Sequence, residues 1–83
     1  MADLTYEDLV SILVEKFAVY PEKIQPGVTF EDLEVDSLFL VELLLVVERA
    51  VQASIPDDAI TAQDTLERAV DIVREQVTAA GTR

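Results

Sequence analysis

Residues 36–51 read DSLFLVELLLVVERAV, and this stretch decides that the fold is helical. Asp36 and Ser37 both belong to the residue types that cap helix N-termini. The apolar residues behind them predict a helix that begins at Asp36 or Ser37 and ends at Ala50 or Val51.

The predicted helix is apolar on more than one side. Four of its residues recur with a spacing of three and, supported by Leu43, are expected to face the core: Leu38, Val41, Leu44 and Val47. Four further apolar residues fall outside that stripe: Phe39, Leu40, Leu45 and Val46. An ordinary amphipathic helix is polar there, so this helix is either buried on several sides or exposes an apolar patch.

An earlier helix is predicted from its own start signals. Thr5 and Asp8 stand at capping-box spacing, and Leu4 and Leu9 flank them at the positions of a hydrophobic staple. We therefore expect this helix to begin at Thr5 and to end before Pro21.

A long connection joins these two helices. From about residue 19 to 35 no hydrophobic period holds, and Pro21, Pro26 and Gly27 interrupt the stretch. We expect one helical turn between Thr29 and Leu33. So long a connection in a small domain is often functional.

Two further helices are predicted in the second half. A short one is expected from about Asp57 to Ile60, and a longer one opens at the capping pair Asp64 and Glu67. Residues 79–83 are expected to fray. No segment alternates like a strand, so the predicted fold is all-α: a small four-helix bundle, three helices longer and one short, with a long first loop. It forms one domain over residues 1–83, ordered from about 4 to 78.

Composition excludes several functions. The net charge of −11 repels nucleic acid and favours basic protein partners. The longest uncharged apolar run, Leu43–Val47, is far short of the roughly 20 residues that a membrane span requires. With no cysteine and no histidine, the chain offers no thiolate and no imidazole base, so we expect a protein that is not an enzyme. No signal peptide is visible, and a cytoplasmic location is expected.

A calcium loop is also rejected. Asp32, Glu34 and Asp36 alternate as such a loop begins, but its sixth position is Ser37 instead of glycine and its twelfth is Leu43 instead of glutamate. No metal site is predicted.

Ser37 is the residue on which a function can be built. Its simplest role is that of a helix cap. However, a phosphodiester on its hydroxyl would lie against the amides and the positive dipole end of a helix start, which favour anions. Asp36 beside it is placed to bind a metal or to orient the hydroxyl during transfer. Ser37 is thus a candidate phosphoryl acceptor.

These residues resemble those of the acyl carrier proteins. The shared features are Asp-Ser-Leu at 36–38, the segment 30–33, Glu42, Glu48 and the segment 55–58. The resemblance implies that Ser37 carries 4′-phosphopantetheine, transferred from coenzyme A by a phosphopantetheinyl transferase. The thiol of that arm holds acyl chains as thioesters, which suits a chain without cysteine.

Within the family, residues 4–9, 30–33 and 55–59 look most like carriers of type II polyketide synthases. The resemblance then implies that malonyl and growing chains on Ser37 are presented to an acyltransferase, a ketosynthase and tailoring enzymes. A carrier for fatty acids or another acyl unit is the alternative. A helical interaction module, with Ser37 only a cap, is an alternative of another class.

The resemblance also assigns a recognition surface and an acyl groove. Asp36, Glu42 and Glu48 match positions that meet basic patches on partner enzymes. The expected partner-recognition residues are Leu38, Phe39, Leu40, Glu42, Leu45 and Glu48. The expected groove residues are Val41, Leu44, Ile55, Ala59 and Ile60.

Two residue choices depart from the family pattern. Glu34 stands where a glycine is frequent, three residues before Ser37, and Phe39 and Leu40 stand where fatty-acid carriers commonly have polar residues. We expect Phe39, Leu40 and Leu45 to form an apolar patch, ringed by acids, that recognises partner enzymes. The alternative is that they pack on the loop or form a weak homodimer contact in an otherwise monomeric protein.

Overall fold

The computed structural model describes residues 4–56 and 58–81. Its elements follow in the order α1 (Tyr6–Lys16), a 3₁₀ turn (Pro21–Lys23), α2 (Ser37–Val51) and α3 (Leu66–Gly81). The described part of the chain contains no strand, only an isolated β-bridge between Thr29 and Thr65. The predicted all-helical fold and long first loop are confirmed.

Local signals set the start of α1 as predicted. Thr5 Oγ1 accepts a hydrogen bond from the Asp8 amide, and Asp8 Oδ2 accepts one from the Thr5 amide, both at 3.1 Å. Leu4 and Leu9 on either side of this capping box are both buried in the core. The cap and the staple therefore fix where the chain enters the bundle.

One apolar core is shared by the three helices and the first loop, with α1 packed against α3. Its buried side chains are Leu4, Leu9, Leu13, Phe30, Leu33, Val35, Leu40, Leu43, Leu44, Val47, Val51, Ile55, Ile60, Leu66, Ala69, Val70, Ile72 and Val73. Phe30 and Leu33 in this set tie the first loop to the helices. None of the described polar or charged residues is buried.

The core-facing side of α2 differs from the predicted stripe. The buried residues of α2 are Leu40, Leu43, Leu44, Val47 and Val51. Leu38 and Val41 were expected in the core but are 67% and 43% exposed. A spacing of three falls short of the 3.6-residue turn, so a stripe built on it drifts around the helix and off the core.

The predicted short helix is absent from the described residues. Residues 58–60 form a turn and bends, closed by a 3.0 Å hydrogen bond from the Ala59 amide to the Pro56 carbonyl. Asp57, where that helix was expected to begin, lies outside the described residues. Pro56 therefore begins a turn here and not a helix.

The start of α3 also differs from prediction. Thr65 Oγ1 accepts a 3.1 Å hydrogen bond from the Arg68 amide and so caps the helix. The expected capping pair of Asp64 and Glu67 is wrong, because both carboxylates have other partners. Asp64 binds back onto its own preceding turn, and Glu67 Oε2 accepts from the Gly27 amide at 3.3 Å. Glu67 thereby ties the first loop to α3.

α3 continues to Gly81, and residues 82–83 lie outside the described part. The fraying of residues 79–83 stays a prediction. None of the described helices combines the length and apolar character needed to cross a bilayer.

Candidate functional site

Ser37 is the first residue of α2 and is exposed. The cap of the helix is Asp36, whose Oδ1 accepts a 3.0 Å hydrogen bond from the Phe39 amide. The Asp36 carbonyl also accepts from the Leu40 amide at 2.9 Å. Among the described residues no hydrogen bond engages the Ser37 hydroxyl. The capping role considered for Ser37 therefore belongs to Asp36, and the Ser37 hydroxyl is available for modification.

The predicted turn before Ser37 is present and is capped at its start. Thr29 Oγ1 accepts from the Asp32 amide, and Asp32 Oδ2 accepts from the Thr29 amide, both at 3.1 Å. The Leu33 amide donates to the Thr29 carbonyl at 3.3 Å, as in one turn of α-helix. This second capping box gives the acidic segment a defined backbone.

The same turn ends in a Schellman arrangement. The Glu34 amide donates to the Glu31 carbonyl at 3.0 Å, and the Val35 amide donates to the Phe30 carbonyl at 2.9 Å. Glu34 has a φ of 62°, the left-handed conformation that this motif requires and that glycine favours. Val35 and Phe30 are both buried in the core. They occupy the two positions between which an apolar contact commonly accompanies the motif. Glu34 therefore adopts the same left-handed backbone conformation that a glycine at this position would favour.

The turn is bound to the segment before α3. The Glu31 amide donates to the Ala62 carbonyl at 2.8 Å, and the Phe30 amide donates to the Asp64 carbonyl at 3.3 Å. These bonds hold the segment around Ala62 beside the start of α2. Ser37 therefore lies between a hydrogen-bonded turn, residues 29–35, and the helix α2.

Two hollows, each of about 280 Å³, flank the start of α2. The first is acidic and is lined by Glu31, Glu34, Val35, Asp36, Ala62 and Gln63. The second is mostly apolar and is lined by Ser37, Leu40, Val41, Asp58, Ile60, Thr61 and Ala62. We call the second one the apolar groove. Ser37 is one of its lining residues.

Two of the five residues predicted to line an acyl groove lie in the lining of the apolar groove. Val41 and Ile60 line it. Leu44 and Ile55 do not, because they are 3% and 4% exposed and belong to the core. Ala59 is half-buried and packs on the core without lining the groove. These three residues were predicted wrongly because apolar character alone does not show whether a residue lines the groove or belongs to the core.

Leu40 is the lining residue that sequence reasoning placed on the wrong surface. Expected in the exposed patch, it is only 7% exposed and faces the core and the groove. Its position three residues after Ser37 is the signal that could have found it, because residues i and i+3 share a helix face. Asp58, Thr61 and Ala62 have no such local signal, since only the folded chain brings them to Ser37.

Three other apolar residues predicted for partner recognition are exposed, although Leu38 was also expected on the core-facing stripe. Leu38, Phe39 and Leu45 are 67%, 45% and 52% exposed. The Phe39 ring meets the Phe17 ring edge to face, with centroids 6.4 Å apart and planes at 72°. Phe17 is the C-cap residue of α1.

The two acids predicted on α2 differ in their surroundings. Glu42 is exposed. Glu48 is half-buried, and its Oε2 accepts a 2.6 Å hydrogen bond from the Ile55 amide. The Glu48 carboxylate therefore already holds the chain that leaves α2.

Negative charge is concentrated just before Ser37. Four carboxylates of the segment are exposed: Glu31, Asp32, Glu34 and Asp36. Glu34 Oε2 lies 3.9 Å from Lys23 Nζ, a surface ion pair. Within the described residues no cluster of three or more histidine, cysteine or acidic side chains is arranged to hold a metal ion.

This chain is similar to known proteins over most of its length. The family described as "Phosphopantetheine attachment site" matches residues 7–73. The acyl carrier protein of Rubrobacter xylanophilus is 39% identical over 74 residues, which cover 88% of this chain and 91% of that protein. That of Thermosynechococcus vestitus is 34% identical over 74 residues, with the same two coverages. That of Guillardia theta is 35% identical over 75 residues, which cover 89% and 93%. No solved structure gives a significant match.

Proposed function

Because this chain belongs to the acyl carrier protein family, we propose that Ser37 is the residue that bears its 4′-phosphopantetheine arm. The protein is a carrier and not an enzyme, and the arm is a covalently bound prosthetic group. When bound, the arm supplies the thiol on which acyl chains are held as thioesters. The observation that carries the assignment is the Ser37 hydroxyl, exposed at the start of α2 and unused by the cap.

The surroundings of Ser37 suit a phosphodiester. The first amides of an α-helix have no partner inside the helix, and its N-terminal end attracts anions. The Asp36 side chain accepts from the Phe39 amide, and Ser37 is exposed at the surface within reach of a modifying enzyme. Because the chain contains no histidine, an imidazole base for the serine proton would have to come from the phosphopantetheinyl transferase.

The apolar groove supports the holding of an acyl chain. Leu40, Val41 and Ile60 give it an apolar wall, and Ser37 is part of the same lining. A chain attached through Ser37 can fold back into this space and lose contact with water, which is favourable for each buried CH₂ group. Replacing Ile60 with a larger side chain should therefore shorten the chains that are protected from hydrolysis.

We assign the carrier to polyketide assembly, where it presents malonyl and growing chains to an acyltransferase, a ketosynthase and tailoring enzymes. The residues that support this choice are those of segments 4–9, 30–33 and 55–59, together with the apolar Phe39 in the first turn of α2. A fatty-acid carrier is the competing assignment. A cytoplasmic location stays a prediction.

The attachment site is tested by mass. The purified chain is incubated with coenzyme A, magnesium and a promiscuous phosphopantetheinyl transferase, and its intact mass is measured. We expect a gain of one phosphopantetheine group, abolished in Ser37→Ala. The other two serines of the chain provide matched controls, because Ser11 and Ser54 are also exposed. Retention of the gain by Ser37→Ala, or its loss in Ser11→Ala or Ser54→Ala, would assign the attachment elsewhere.

A further inference from the structure

The lining of the apolar groove contains one charged residue. Leu40, Val41 and Ile60 give the groove its apolar wall, and the exposed side chain of Asp58 belongs to the same lining. Ser37, through which an acyl chain would be attached, also lies there. A chain that enters this groove therefore meets hydrocarbon and a single negative charge.

The other polar groups of the lining already have partners within the protein. The amide and the hydroxyl of Thr61 donate to Asp64 Oδ2 at 2.8 and 3.4 Å. The Ala62 carbonyl accepts from the Glu31 amide at 2.8 Å. By contrast, the Asp58 carboxylate forms no hydrogen bond or ion pair with any of the described residues. Its charge is therefore free to act on a chain in the groove.

No positive charge in the lining offsets the charge of Asp58. Lysine and arginine are absent from residues 24–48 and 50–67, and these two ranges supply every residue that lines the groove. The neighbouring acidic hollow shares Ala62 with the groove and adds the carboxylates of Glu31, Glu34 and Asp36. The electrostatic potential in the groove is therefore negative, which repels anions and attracts cations.

The apolar wall and the charge of Asp58 have different effects on a charged chain end. Moving any charged group from water to an apolar surface costs free energy, whatever the sign of the charge. The apolar wall alone therefore disfavours both carboxylate and ammonium ends. The Asp58 carboxylate adds repulsion for the first and attraction for the second. A difference between the two signs that depends on Asp58 thus isolates its contribution.

We propose that Asp58 selects, by their charge, the acyl chains that the apolar groove holds. Chains with an uncharged end enter the groove, and chains that end in a carboxylate stay outside it. Chains that end in an ammonium group enter more readily than carboxylate chains of the same length. The inference rests on the proposed carrier function and deepens it, because it names the class of chain that the groove shelters and the residue that sets this class.

The test compares three chains of the same length on the arm: heptanoyl, aminohexanoyl with a terminal ammonium group, and adipoyl with a terminal carboxylate. Each is loaded from a coenzyme A analogue in which a stable amide replaces the thioester, so that no chain is lost or cyclises. Nuclear Overhauser contacts between the chain and the methyl groups of Leu40 and Ile60 report how much of it lies in the groove. For the wild-type protein we expect contacts that are strongest for heptanoyl, weaker for aminohexanoyl and weakest for adipoyl.

Variants of Asp58 change the two charged chains in opposite directions. Asp58→Asn should raise the ratio of adipoyl inside to outside the groove by about two- to fivefold, the size expected of one exposed charge interaction. It should lower the same ratio for aminohexanoyl by a similar factor and leave heptanoyl unchanged. Asp58→Lys should reverse the order of the two charged chains. Because the Asp58 side chain is exposed and has no partner among the described residues, both variants should fold.

Two controls separate Asp58 from the net charge of the protein. Asp71→Asn removes the same charge from an exposed position on α3 that does not line the groove, and it should leave all three chains unchanged. Raising the salt concentration should bring the two charged chains closer together in the wild-type protein, since the interaction with an exposed carboxylate is screened.

The proposal is overturned if the wild-type protein holds adipoyl and aminohexanoyl equally, or if Asp58→Asn leaves the adipoyl contacts as they were. It is also overturned if Asp71→Asn has as large an effect as Asp58→Asn, or if even heptanoyl makes no contact with Leu40 and Ile60. Failure of the carrier assignment looks different, because the chain would then gain no mass from the coenzyme A analogues. Wild-type protein and the Asp58 variants should all be loaded, whether or not Asp58 selects the chains.

Discussion

Replacing Glu34 with glycine should stabilise this protein. Glu34 has a φ of 62° and occupies the left-handed position of the Schellman turn before Ser37. A side chain in that conformation costs about 1–2 kcal/mol. Glycine removes this strain but gives the unfolded chain about 0.5–1 kcal/mol of additional freedom. The net gain in the free energy of unfolding is therefore about 0.5–1 kcal/mol.

The ion pair with Lys23 changes this result only slightly. The two charged groups are 3.9 Å apart on side chains that are 53% and 84% exposed, so their interaction is worth a few tenths of a kcal/mol at most. Glu34→Ala is the matched control, because it removes the ion pair and keeps the strained backbone. We expect Glu34→Ala to be neutral or slightly destabilised.

Urea denaturation of both variants measures the effect. For a domain this small the slope is near 1 kcal/mol per molar urea, so the midpoint of Glu34→Gly should rise by about 0.5 M or more. A midpoint for Glu34→Gly at or below that of Glu34→Ala would show that the left-handed backbone stores no strain. Gln52→Gly repeats the test at the end of α2, where φ is 57°, and should shift in the same direction.

Three further predictions follow from single contacts. Glu48→Ala should lower stability by about 1.5 kcal/mol, more than Glu48→Gln, and should speed hydrogen exchange at the Ile55 amide, which then lacks its 2.6 Å acceptor. Leu40→Ala should lower the free energy of unfolding by about 2–3 kcal/mol and enlarge the apolar groove, which a thermal melt and the hydrolysis rate of a bound acyl thioester would report. Burial and, secondarily, the charge of Glu67 raise the pKa of the Tyr6 hydroxyl above 10.0. The folded state therefore favours the neutral hydroxyl, and this contribution to the free energy of unfolding is complete below pH 10 and is lost as the pH rises through the raised pKa. Tyr6→Phe should flatten that loss in urea titrations between pH 9 and pH 12.

The predictable parts of the fold are those encoded by neighbouring residues. The capping box of Thr5 and Asp8, the boundaries of α2 and the turn at Thr29–Leu33 all depend on contacts within a few residues. Such contacts need little support from the rest of the fold. For this reason the position of Ser37 at a helix start was predictable from the sequence alone.

The faces of α2 were not predictable in the same way. A helix that is apolar all round contains several candidate stripes, and sequence alone cannot separate Leu38 and Val41, which are exposed, from Leu40, which is buried. The outcome depends on which side meets α1, α3 and the first loop. The predicted cap of α3 was wrong because the Asp64 carboxylate accepts from the Thr61 amide instead. Thr65 caps the helix in its place.

Two residues that suit a folded monomer poorly lie on either side of Ser37. Glu34 holds a carboxylate in a backbone conformation that favours glycine, and Phe39 exposes an aromatic ring where an aspartate would interact better with the helix dipole. Glu34→Gly removes one negative charge from residues 31–36, and Phe39→Asp removes an exposed aromatic ring from the first turn of α2. Local preferences are broken mainly at functional sites, where strain and exposed apolar groups are compensated by binding. The stabilities of Glu34→Gly and Phe39→Asp can be measured independently, and a gain in both would show that the residues on either side of Ser37 are not those that best stabilise the folded monomer.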